Sequence, residues 1–356
     1  MILKCGIIGL PNVGKSTLFN ILTNSNIPAK NFPFCTIKPN IGVVPVFDDR
    51  LNCIADIIHP ENIINTFLKL IDIAGLVKGA SNGSGLGNQF LSNIRRVDLL
   101  FHVVRCFNDH NILHIHNIID PIYDIEIVNM ELIFSDLQLC QSEILRLKKN
   151  KIHSKRLLVL ESCLDILNRG DFLRKSLLNR EDVFLVKDIN FITLKPVIYI
   201  ANISETKKNN FPINKLLHHI HKEHSICIVV TISKEIKDTV LNCNQSNNLY
   251  LQKNKQSILN NMIFTGYKLL NLQTFFTVGK KEVRAWTINI GENSIQAARK
   301  IHTDFQKGFI RAQVIGYHDF IKFRDEKTLR KFGKIRLEGK NYLVKDGDII
   351  KFLFHV

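Results

Sequence analysis

The sequence predicts an α/β protein in which a doubly wound, mostly parallel sheet is interrupted by a helical hairpin and followed by a small α+β domain. Residues 1–125 alternate apolar, strand-like runs with loops and helices, as layered α/β domains do. The texture changes to helical spacing over 126–195, and residues 275–356 combine strands with one helix. We therefore expect a first domain made of 1–125 and 196–274, a hairpin domain at 126–195 and a last domain at 275–356.

The first part of the α/β domain supplies four strand-like runs. An apolar stretch at residues 5–8 leads into a glycine-rich turn and then into a helix-like run at 17–22. Three further runs, at 41–47, 66–72 and 98–104, have the length and composition of buried strands. A strand that feeds a glycine-rich turn and a helix is the opening unit of a doubly wound domain.

Helical periodicity identifies the hairpin. Two sets of apolar residues each step by three and four along the chain, which places each set on one face of a helix. The basic segment 148–156 separates them, so the pattern predicts an antiparallel hairpin with a positive tip. The two sets are Leu137, Cys140, Ile144 and Leu147, and Leu157, Leu160, Leu164 and Leu167.

A second α/β stretch follows the hairpin, so the hairpin is an insertion. The sequence predicts a strand at 195–202, a helix at 215–223 and a strand at 225–231. The polar segment 242–256 is expected to be a solvated loop or linker.

The last domain has the size of a ubiquitin-like α+β module. A tight turn is predicted at 345–348, where Lys-Asp-Gly-Asp precedes the final strand. Strands are expected at 275–278, 285–290, 311–314 and 348–355, and a helix at 294–306.

The composition is that of a soluble globular protein of two or three domains. Of 356 residues, 45% are hydrophobic and 22% are charged. No apolar run approaches the ~18 residues that span a bilayer, and the first residues run directly into the glycine-rich turn, so we expect no removable signal. Eight cysteines without a CxxC pair favour free thiols in a reducing compartment over a disulfide frame or a zinc site. We expect a cytoplasmic monomer that does not bind membranes.

The net charge has two competing explanations. A formal charge of +16 and a pI near 9.5 suit a protein that binds RNA. The chain is also crowded with Lys, Asn, Ile and Phe, which an AT-rich genome over-supplies. The charge alone does not choose between these explanations.

Residues 9–17, Gly-Leu-Pro-Asn-Val-Gly-Lys-Ser-Thr, match the phosphate-loop pattern GxxxxGK[ST]. A strand, a glycine-rich turn and a helix start aim backbone N–H groups and a positive helix end at an anion. Lys15 would reach the β- and γ-phosphates, and the Ser16 hydroxyl would help to hold Mg²⁺. The motif therefore predicts a nucleoside triphosphate site. The expected binding residues here are Asn12, Val13, Gly14, Lys15, Ser16 and Thr17.

Asn12 has two interpretations. Its side chain would either help to coordinate a monovalent cation such as K⁺ beside the β–γ bridge or cap the turn of the phosphate loop. The sequence leaves both open, with the turn favoured.

The metal and the γ-phosphate need further partners. The apolar run at 66–72 ends in Asp72-Ile73-Ala74-Gly75, in which Asp72 would hold Mg²⁺ through its water shell and the Gly75 amide would reach the γ-phosphate. Thr36, at the end of an upstream loop, is expected to bind Mg²⁺ when triphosphate is present, although an ordinary loop threonine would look the same.

Hydrolysis is expected to be slow. Leu76 stands where Ras-like GTPases place the glutamine that orients the attacking water, and leucine has no hydrogen-bonding group. His114 is a candidate for that role, although a lone histidine is more often structural. We therefore assign Lys15, Gly75 and His114 as the catalytic candidates.

The segment after the strand at 195–202 selects the base. GTPases use Asn-Lys-x-Asp here, because the Asp carboxylate accepts two hydrogens from guanine. This chain has Asn202-Ile203-Ser204-Glu205, with a longer acid and no lysine. A misplaced acceptor loses guanine discrimination, whereas adenine gains nothing from it. The sequence therefore favours ATP, or weak discrimination, and Ser233 lies where a loop would close over the base.

Several segments together are specific enough to indicate a family. They are GLPNVGKSTLFN, NFPFCTIKPN, DIAGLVKGAS with GLGNQFL, HVVRCF, the NxxE at 202–205, and a last block from LNLQTFFTVGKKEVRAWTI through KIHTDFQKGFIRAQV to VKDGDIIKFLF. With these segments the chain resembles the YchF (Obg-like ATPase) family of translation-factor-related P-loop NTPases over nearly its whole length.

The resemblance implies a P-loop G domain interrupted by a helical hairpin and followed by a TGS domain of β-grasp type. It also implies ATP preferred over GTP, a hydrophobic residue (Leu76) in place of the catalytic glutamine, and a functional histidine on a mobile loop, here His114. Association with ribosomes is implied as well, with the hairpin and the TGS domain as contacts.

Three functions compete at this point. The first is a ribosome-associated ATPase switch with Mg²⁺ as its cofactor. The second is a nucleotide-gated binding scaffold whose hydrolysis is incidental, which Leu76 motivates. The third is a conventional GTPase with a relaxed base motif, which Ile203 and Glu205 disfavour.

Overall fold

The computed structural model divides the chain into two compact units. It describes residues 3–23, 41–73, 85–109, 119–150, 154–176, 178–204, 211–232, 240–242, 250–252 and 255–355. One unit, here the C-terminal unit, contains residues 1–2, 44–68 and 263–356, and the other, the P-loop unit, contains residues 3–43 and 69–262. This division differs from the three predicted domains, because 44–68 group with the end of the chain and the hairpin groups with the phosphate loop.

The elements are as follows in chain order. The strands are β1 (Leu3–Ile8), β2 (Ile41–Val46), β3 (Asn62–Ile64), β4 (Thr66–Asp72), β5 (Leu99–Arg105), β6 (Val197–Ile203), β7 (Ile226–Thr231), β8 (Val240–Asn242), β9 (Tyr250–Gln252), β10 (Leu272–Val278), β11 (Glu282–Asn289), β12 (Phe309–Gly316), β13 (Arg336–Glu338) and β14 (Asp348–Phe354). The α-helices are α1 (Lys15–Thr23), α2 (Asp49–Ile58), α3 (Gly85–Arg95), α4 (Pro121–Lys149), α5 (Lys155–Asn168), α6 (Arg180–Leu185), α7 (Ile213–Lys222), α8 (Lys255–Leu269), α9 (Ser294–Ile301), α10 (Thr303–Lys307), α11 (Tyr317–Phe323) and α12 (Glu326–Lys331). Among the described residues, no helix combines the length and the apolarity needed to cross a membrane.

An eight-stranded sheet has the order β2-β4-β1-β5-β6-β7-β8-β9. The pairs β1–β5, β5–β6 and β6–β7 are parallel, whereas β8 and β9 are added antiparallel. Because β4 and β5 flank β1 on opposite sides, the carboxyl end of β1 lies where the strand order reverses, which is the usual ligand position in such sheets. The predicted doubly wound, mostly parallel sheet is confirmed.

The helical hairpin is confirmed, but it begins earlier than predicted. α4 begins at Pro121 and not near 126, because Asp120 caps it: its carboxylate accepts the amide N–H of Ile122 at 3.0 Å and that of Tyr123 at 3.2 Å. The predicted apolar faces meet in one core, in which the buried members include Cys140, Ile144, Leu147, Leu157, Leu160 and Leu167 and the half-buried ones Leu137 and Leu164.

The prediction of a loop or linker over 242–256 is wrong for the residues that the structure describes there, which are 242, 250–252 and 255–256; the others lie outside the described residues. β8 and β9 pair with each other, β8 pairs with β7, and α8 begins at Lys255. Each of these strands has only three residues and is held by backbone hydrogen bonds at the edge of an existing sheet, so the local sequence is a weak guide at this edge.

The C-terminal unit is built on a six-stranded sheet with the order β13-β12-β14-β10-β11-β3. Apolar cores cover both faces of this sheet. Phe275, Ala297 and Phe352 belong to one core, and Ile54 and Phe276 belong to the other. Two layers of helices around one sheet let a small domain bury enough apolar area to fold.

Residues 44–68 belong to this unit through strand pairing and an ion pair that could not be predicted from their own sequence. β3 pairs in parallel with β11, with Ile63 opposite Val283. The guanidinium of Arg50 in α2 contacts Asp48 at 2.8 Å and Asp346 at 2.7 Å. This fork of hydrogen bonds raises the pKa of Arg50 despite partial burial, so the arginine stays charged.

Two predictions in the last domain need correction. The single helix predicted at 294–306 is two helices, α9 and α10, because His302 is extended and its Nδ1 accepts the Asp304 N–H at 3.3 Å as a cap. Three further elements, α11, α12 and β13, were not predicted from the sequence. The predicted turn is present: Gly347 has a φ of 83°, and Asp348 N donates to Lys345 O at 3.1 Å.

Candidate nucleotide-binding site

The phosphate loop connects β1 to α1 in a backbone conformation that two glycines make possible. Gly9 has a φ of 144° and Gly14 a φ of 101°. A Cβ on Gly9 would lie 2.4 Å from Val103 O, and one on Gly14 would lie 2.7 Å from Asn202 Nδ2. Only glycine fits at either position, so the loop can lie close to the sheet and open α1 toward an anion.

Asn12 and the first turn of α1 complete the loop. Asn12 has a φ of 62°, a left-handed conformation that asparagine tolerates, which supports its role in the turn. A cation at Asn12 stays a prediction. Val13 is buried, whereas Ser16 and Thr17 are exposed at the start of α1, where backbone N–H groups have no partner within the helix.

Lys15 is buried at the centre of the loop. Its side chain folds back, and Nζ donates to Leu10 O at 2.6 Å. Burial lowers the pKa of Lys15 to about 8, and the nearby Asp72 carboxylate opposes this shift. A bound phosphate would raise this pKa again, so anion binding offsets the cost of burying the ammonium.

Ser16 and Asp72 meet at the end of β4. Ser16 Oγ donates to Asp72 Oδ2 at 2.8 Å, and Asp72 Oδ1 is buried with no hydrogen-bond partner among the described residues. Carboxylate and hydroxyl oxygens are hard ligands that suit Mg²⁺, and an unsatisfied buried carboxylate oxygen is costly without a partner. The pair therefore fits a Mg²⁺ site, with Ser16 as a direct ligand and Asp72 beside it.

Asn202 connects the phosphate loop to the loop after β7. Its Nδ2 donates to Val13 O at 3.0 Å, and its Oδ1 accepts the Ile232 N–H at 3.2 Å. The side chain is 2% exposed. Both ends of the amide are used within the protein, so Asn202 acts by holding two loops of the site together.

Replacing Asn202 with alanine should weaken binding of ATP and GTP by a similar factor. The change leaves Val13 O and Ile232 N unsatisfied, which costs about 1–3 kcal/mol, or roughly fivefold to 150-fold in affinity. Titration with both nucleotides checks this result. A loss confined to one nucleotide would contradict the positioning role and assign Asn202 to base reading.

The structure places some predicted residues and not others. Ile203 ends β6 opposite Thr231 and is half-buried. The other predicted switch, catalytic and base-reading residues lie outside the described residues: Thr36, Gly75, Leu76, His114, Glu205 and Ser233.

Two buried polar residues near the site were not singled out from the sequence. Arg105, at the end of β5, donates from Nε to Phe107 O at 3.2 Å and from Nη2 to Asp109 O at 3.0 Å. It thereby fixes the segment that leads toward His114. His102 lies in β5 with its ring against Tyr199, and burial lowers its pKa to about 3. The HVVRCF segment contains both residues, but an apolar strand gives no sign of which polar groups it buries.

Comparison with known proteins identifies the family. A family model described as "50S ribosome-binding GTPase" matches residues 4–133, and the model of the YchF GTPase C-terminal domain, described as a protein of unknown function, matches residues 272–355. A "Ribosome-binding ATPase YchF" from Buchnera aphidicola subsp. Acyrthosiphon pisum is 52% identical over 359 residues, covering 99% of each chain. The chain belongs to the YchF family.

Other YchF proteins are similar over the same length. The "Ribosome-binding ATPase YchF" of Escherichia coli O157:H7 is 48% identical over 360 residues, covering 99% of each chain. The solved structure of the Schizosaccharomyces pombe YchF GTPase matches with a TM-score of 0.83 at 32% identity, covering 99% of this chain and 97% of that one. The similarity to YchF proteins therefore covers nearly the whole chain.

Proposed function

We propose that this YchF chain is a Mg²⁺-dependent ATPase that acts as a slow switch on ribosomes. The observation that carries the proposal is the joint presence of Lys15, Ser16 and Asp72 beside a strand that ends in Asn202-Ile203 and not in the guanine motif. The names of the relatives, "Ribosome-binding ATPase YchF", support the same activity and partner.

Each residue has a distinct task in the proposed site. Lys15 neutralises charge on the β- and γ-phosphates, and the amides at the start of α1 donate to phosphate oxygens. Ser16, Asp72 and Thr36 would hold Mg²⁺, which would supply positive charge against the phosphates during hydrolysis. The Gly75 amide contacts the γ-phosphate, so triphosphate orders this segment and hydrolysis releases it.

The base is read by the segment after β6 and the loop after β7. Ile203 packs on the base, and Glu205 is one methylene longer than the aspartate of the guanine motif, so guanine loses its discriminating acceptor and adenine is accepted without loss. Ser233 lies in the loop that closes over the base. Asn202 fixes both loops against the phosphate loop, which gives the base a defined position.

Turnover is proposed to be slow without a partner. Leu76 cannot orient water, and His114 supplies that function when ribosomes position its loop. The hairpin and the C-terminal residues 275–356, proposed as a TGS domain, are the expected ribosome contacts. A cytoplasmic location and a monomeric state fit this role, and a K⁺ ion at Asn12 stays a prediction.

Ribosome-stimulated hydrolysis tests this proposal against the binding scaffold that Leu76 favours. We expect ribosomes to raise the ATP turnover rate at least tenfold, and His114→Ala to remove the increase while leaving ATP affinity unchanged. His221→Ala, exposed on α7 and outside the segments proposed to contact ribosomes, is the matched control and should keep the increase. Equal turnover with and without ribosomes would favour the scaffold.

A further inference from the structure

The helix that follows the predicted second switch ends in an ion pair with the hairpin. α3 runs from Gly85 to Arg95 and begins directly after the segment that contains Gly75. Eleven helical residues span about 16 Å. A helix of this length is rigid, so a displacement at its first turn is carried to Arg95.

The Arg95 guanidinium is held by the inserted segment. Nη1 contacts Asp136 Oδ1 of α4 at 2.7 Å and Asn190 O at 3.3 Å. Nη2 donates to Ser135 Oγ at 2.7 Å and to Ser135 O at 3.2 Å. This is a planar, multiply bonded arrangement that fixes the direction of the arginine side chain.

Asp136 is buried and fully hydrogen-bonded, so breaking its ion pair with Arg95 is energetically costly. Its side chain is 0% exposed, and Oδ2 accepts Thr193 N at 2.7 Å and Thr193 Oγ1 at 2.8 Å. Removing one partner of such a pair leaves a buried charge without compensation. We call this ion pair the Arg95–Asp136 joint, and we expect its two residues to move together.

The end of α3 is also held through its backbone. Lys195 Nζ donates to Arg95 O at 3.0 Å and to Val97 O. A cation at the carboxyl end of a helix also interacts favourably with the helix dipole. The side chain and the carbonyl of Arg95 are thus both bound by residues of the segment 121–196, on the two sides of the hairpin.

We propose that the Arg95–Asp136 joint couples the nucleotide state to the hairpin: a change at the second switch moves α3, and α3 moves the middle of α4, where Asp136 lies. The inference rests on the proposed binding of nucleotide at the phosphate loop. Coupling of this kind is reciprocal, so a partner that holds the hairpin changes nucleotide affinity by the same factor. The hairpin is then the element through which a bound ribosome senses ATP.

Amide hydrogen exchange on the full chain tests the joint. The hairpin peptides of α4 and α5 are followed with Mg²⁺–ADP and with Mg²⁺–AMP-PNP, a non-hydrolysable triphosphate. In the parent chain we expect exchange rates in the hairpin to differ between the two states by about fivefold or more. In Arg95→Met the ratio should approach one, while the affinity for each nucleotide changes less than about threefold.

Two further variants guard against loss of folding and non-specific effects. Arg95→Met with Asp136→Asn leaves no unpaired buried charge, keeps an acceptor for Thr193, and should also abolish the ratio. Arg146→Met removes an exposed ion pair to Glu143 on the same helix and should keep the ratio of the parent chain.

The outcomes separate the two proposals. If the parent chain binds neither nucleotide, the proposed function fails together with this inference. Binding without a difference in hairpin exchange overturns the inference alone. A ratio that persists in both Arg95 variants, or that disappears equally in Arg146→Met, also overturns it.

Discussion

Replacing Lys15 with alanine should reduce the affinity for ATP by about a hundredfold or more. The ammonium supplies at least two charge-assisted contacts to the phosphates, each contributing about 1.5 kcal/mol, which together correspond to roughly a hundredfold in Kd. The Lys15→Ala protein should still fold. Burial lowers the pKa of Lys15 to about 8, which shows that the buried ammonium is unfavourable in the nucleotide-free protein, so its removal costs little stability. Isothermal titration with Mg²⁺–ATP measures the loss.

The single tryptophan gives this experiment an internal control. Trp286 lies in the C-terminal unit, where its ring stacks on Phe275 and Nε1 donates to Thr277 Oγ1 at 2.9 Å. Its fluorescence reports the folding of that unit, and it should be unchanged in Lys15→Ala. Lys148→Ala, on the exposed hairpin, should bind ATP as the parent chain does. Retained ATP binding in Lys15→Ala would refute the assignment of the phosphate site.

Replacing Asp72 with asparagine should lower the rate of ATP hydrolysis by about a hundredfold. The change keeps the hydrogen bond from Ser16 but removes the charge that holds Mg²⁺, and a loss of about 2.7 kcal/mol in transition-state stabilisation corresponds to a hundredfold in rate. Steady-state kinetics over a range of Mg²⁺ concentrations measure the rate and the metal requirement together.

A matched variant separates charge at the metal from charge elsewhere. Asp171→Asn, exposed and outside the site, should leave the rate and the Mg²⁺ requirement unchanged. ADP binding without Mg²⁺ should be similar in Asp72→Asn and in the parent chain. An unchanged Mg²⁺ requirement in Asp72→Asn would remove Asp72 from the metal site.

Local sequence was sufficient wherever the determining contacts are local. The phosphate loop is encoded within nine residues, and the strand predicted at 66–72 coincides with β4. The hairpin core was predicted from Leu157 to Leu167 because helical spacing directly reports which side chains share a face. These patterns carry their meaning within one element.

Contacts between distant residues were beyond the sequence. Asn202 was expected within the base-reading segment, and its side-chain amide bonds to Val13 and Ile232. These contacts depend on the position of β6 relative to the phosphate loop, which the sequence does not report. β3 pairs with β11 across more than two hundred residues, and no feature of residues 62–64 predicts that partner. The sequence likewise does not distinguish the buried Asp136 from the other acidic residues of α4.

Short edge strands and helix caps cannot be predicted from periodicity. β8 and β9 are only three residues long, too short to show an alternating pattern, and their pairing depends on the edge of β7. The break at His302 depends on a single side-chain cap, which the apolar pattern of α9 does not report. Edges and caps are decided by one or two hydrogen bonds, and these have no period to detect.

The relative affinity for ATP and GTP tests the central claim most directly. Both are measured by titration on the same preparation with Mg²⁺, with the double variant Ile203→Lys and Glu205→Asp, which restores the guanine motif, as a positive control for GTP binding. We predict that the parent chain binds ATP more tightly than GTP and that the variant shifts toward GTP. A preference of the parent chain for GTP of tenfold or more would contradict the account.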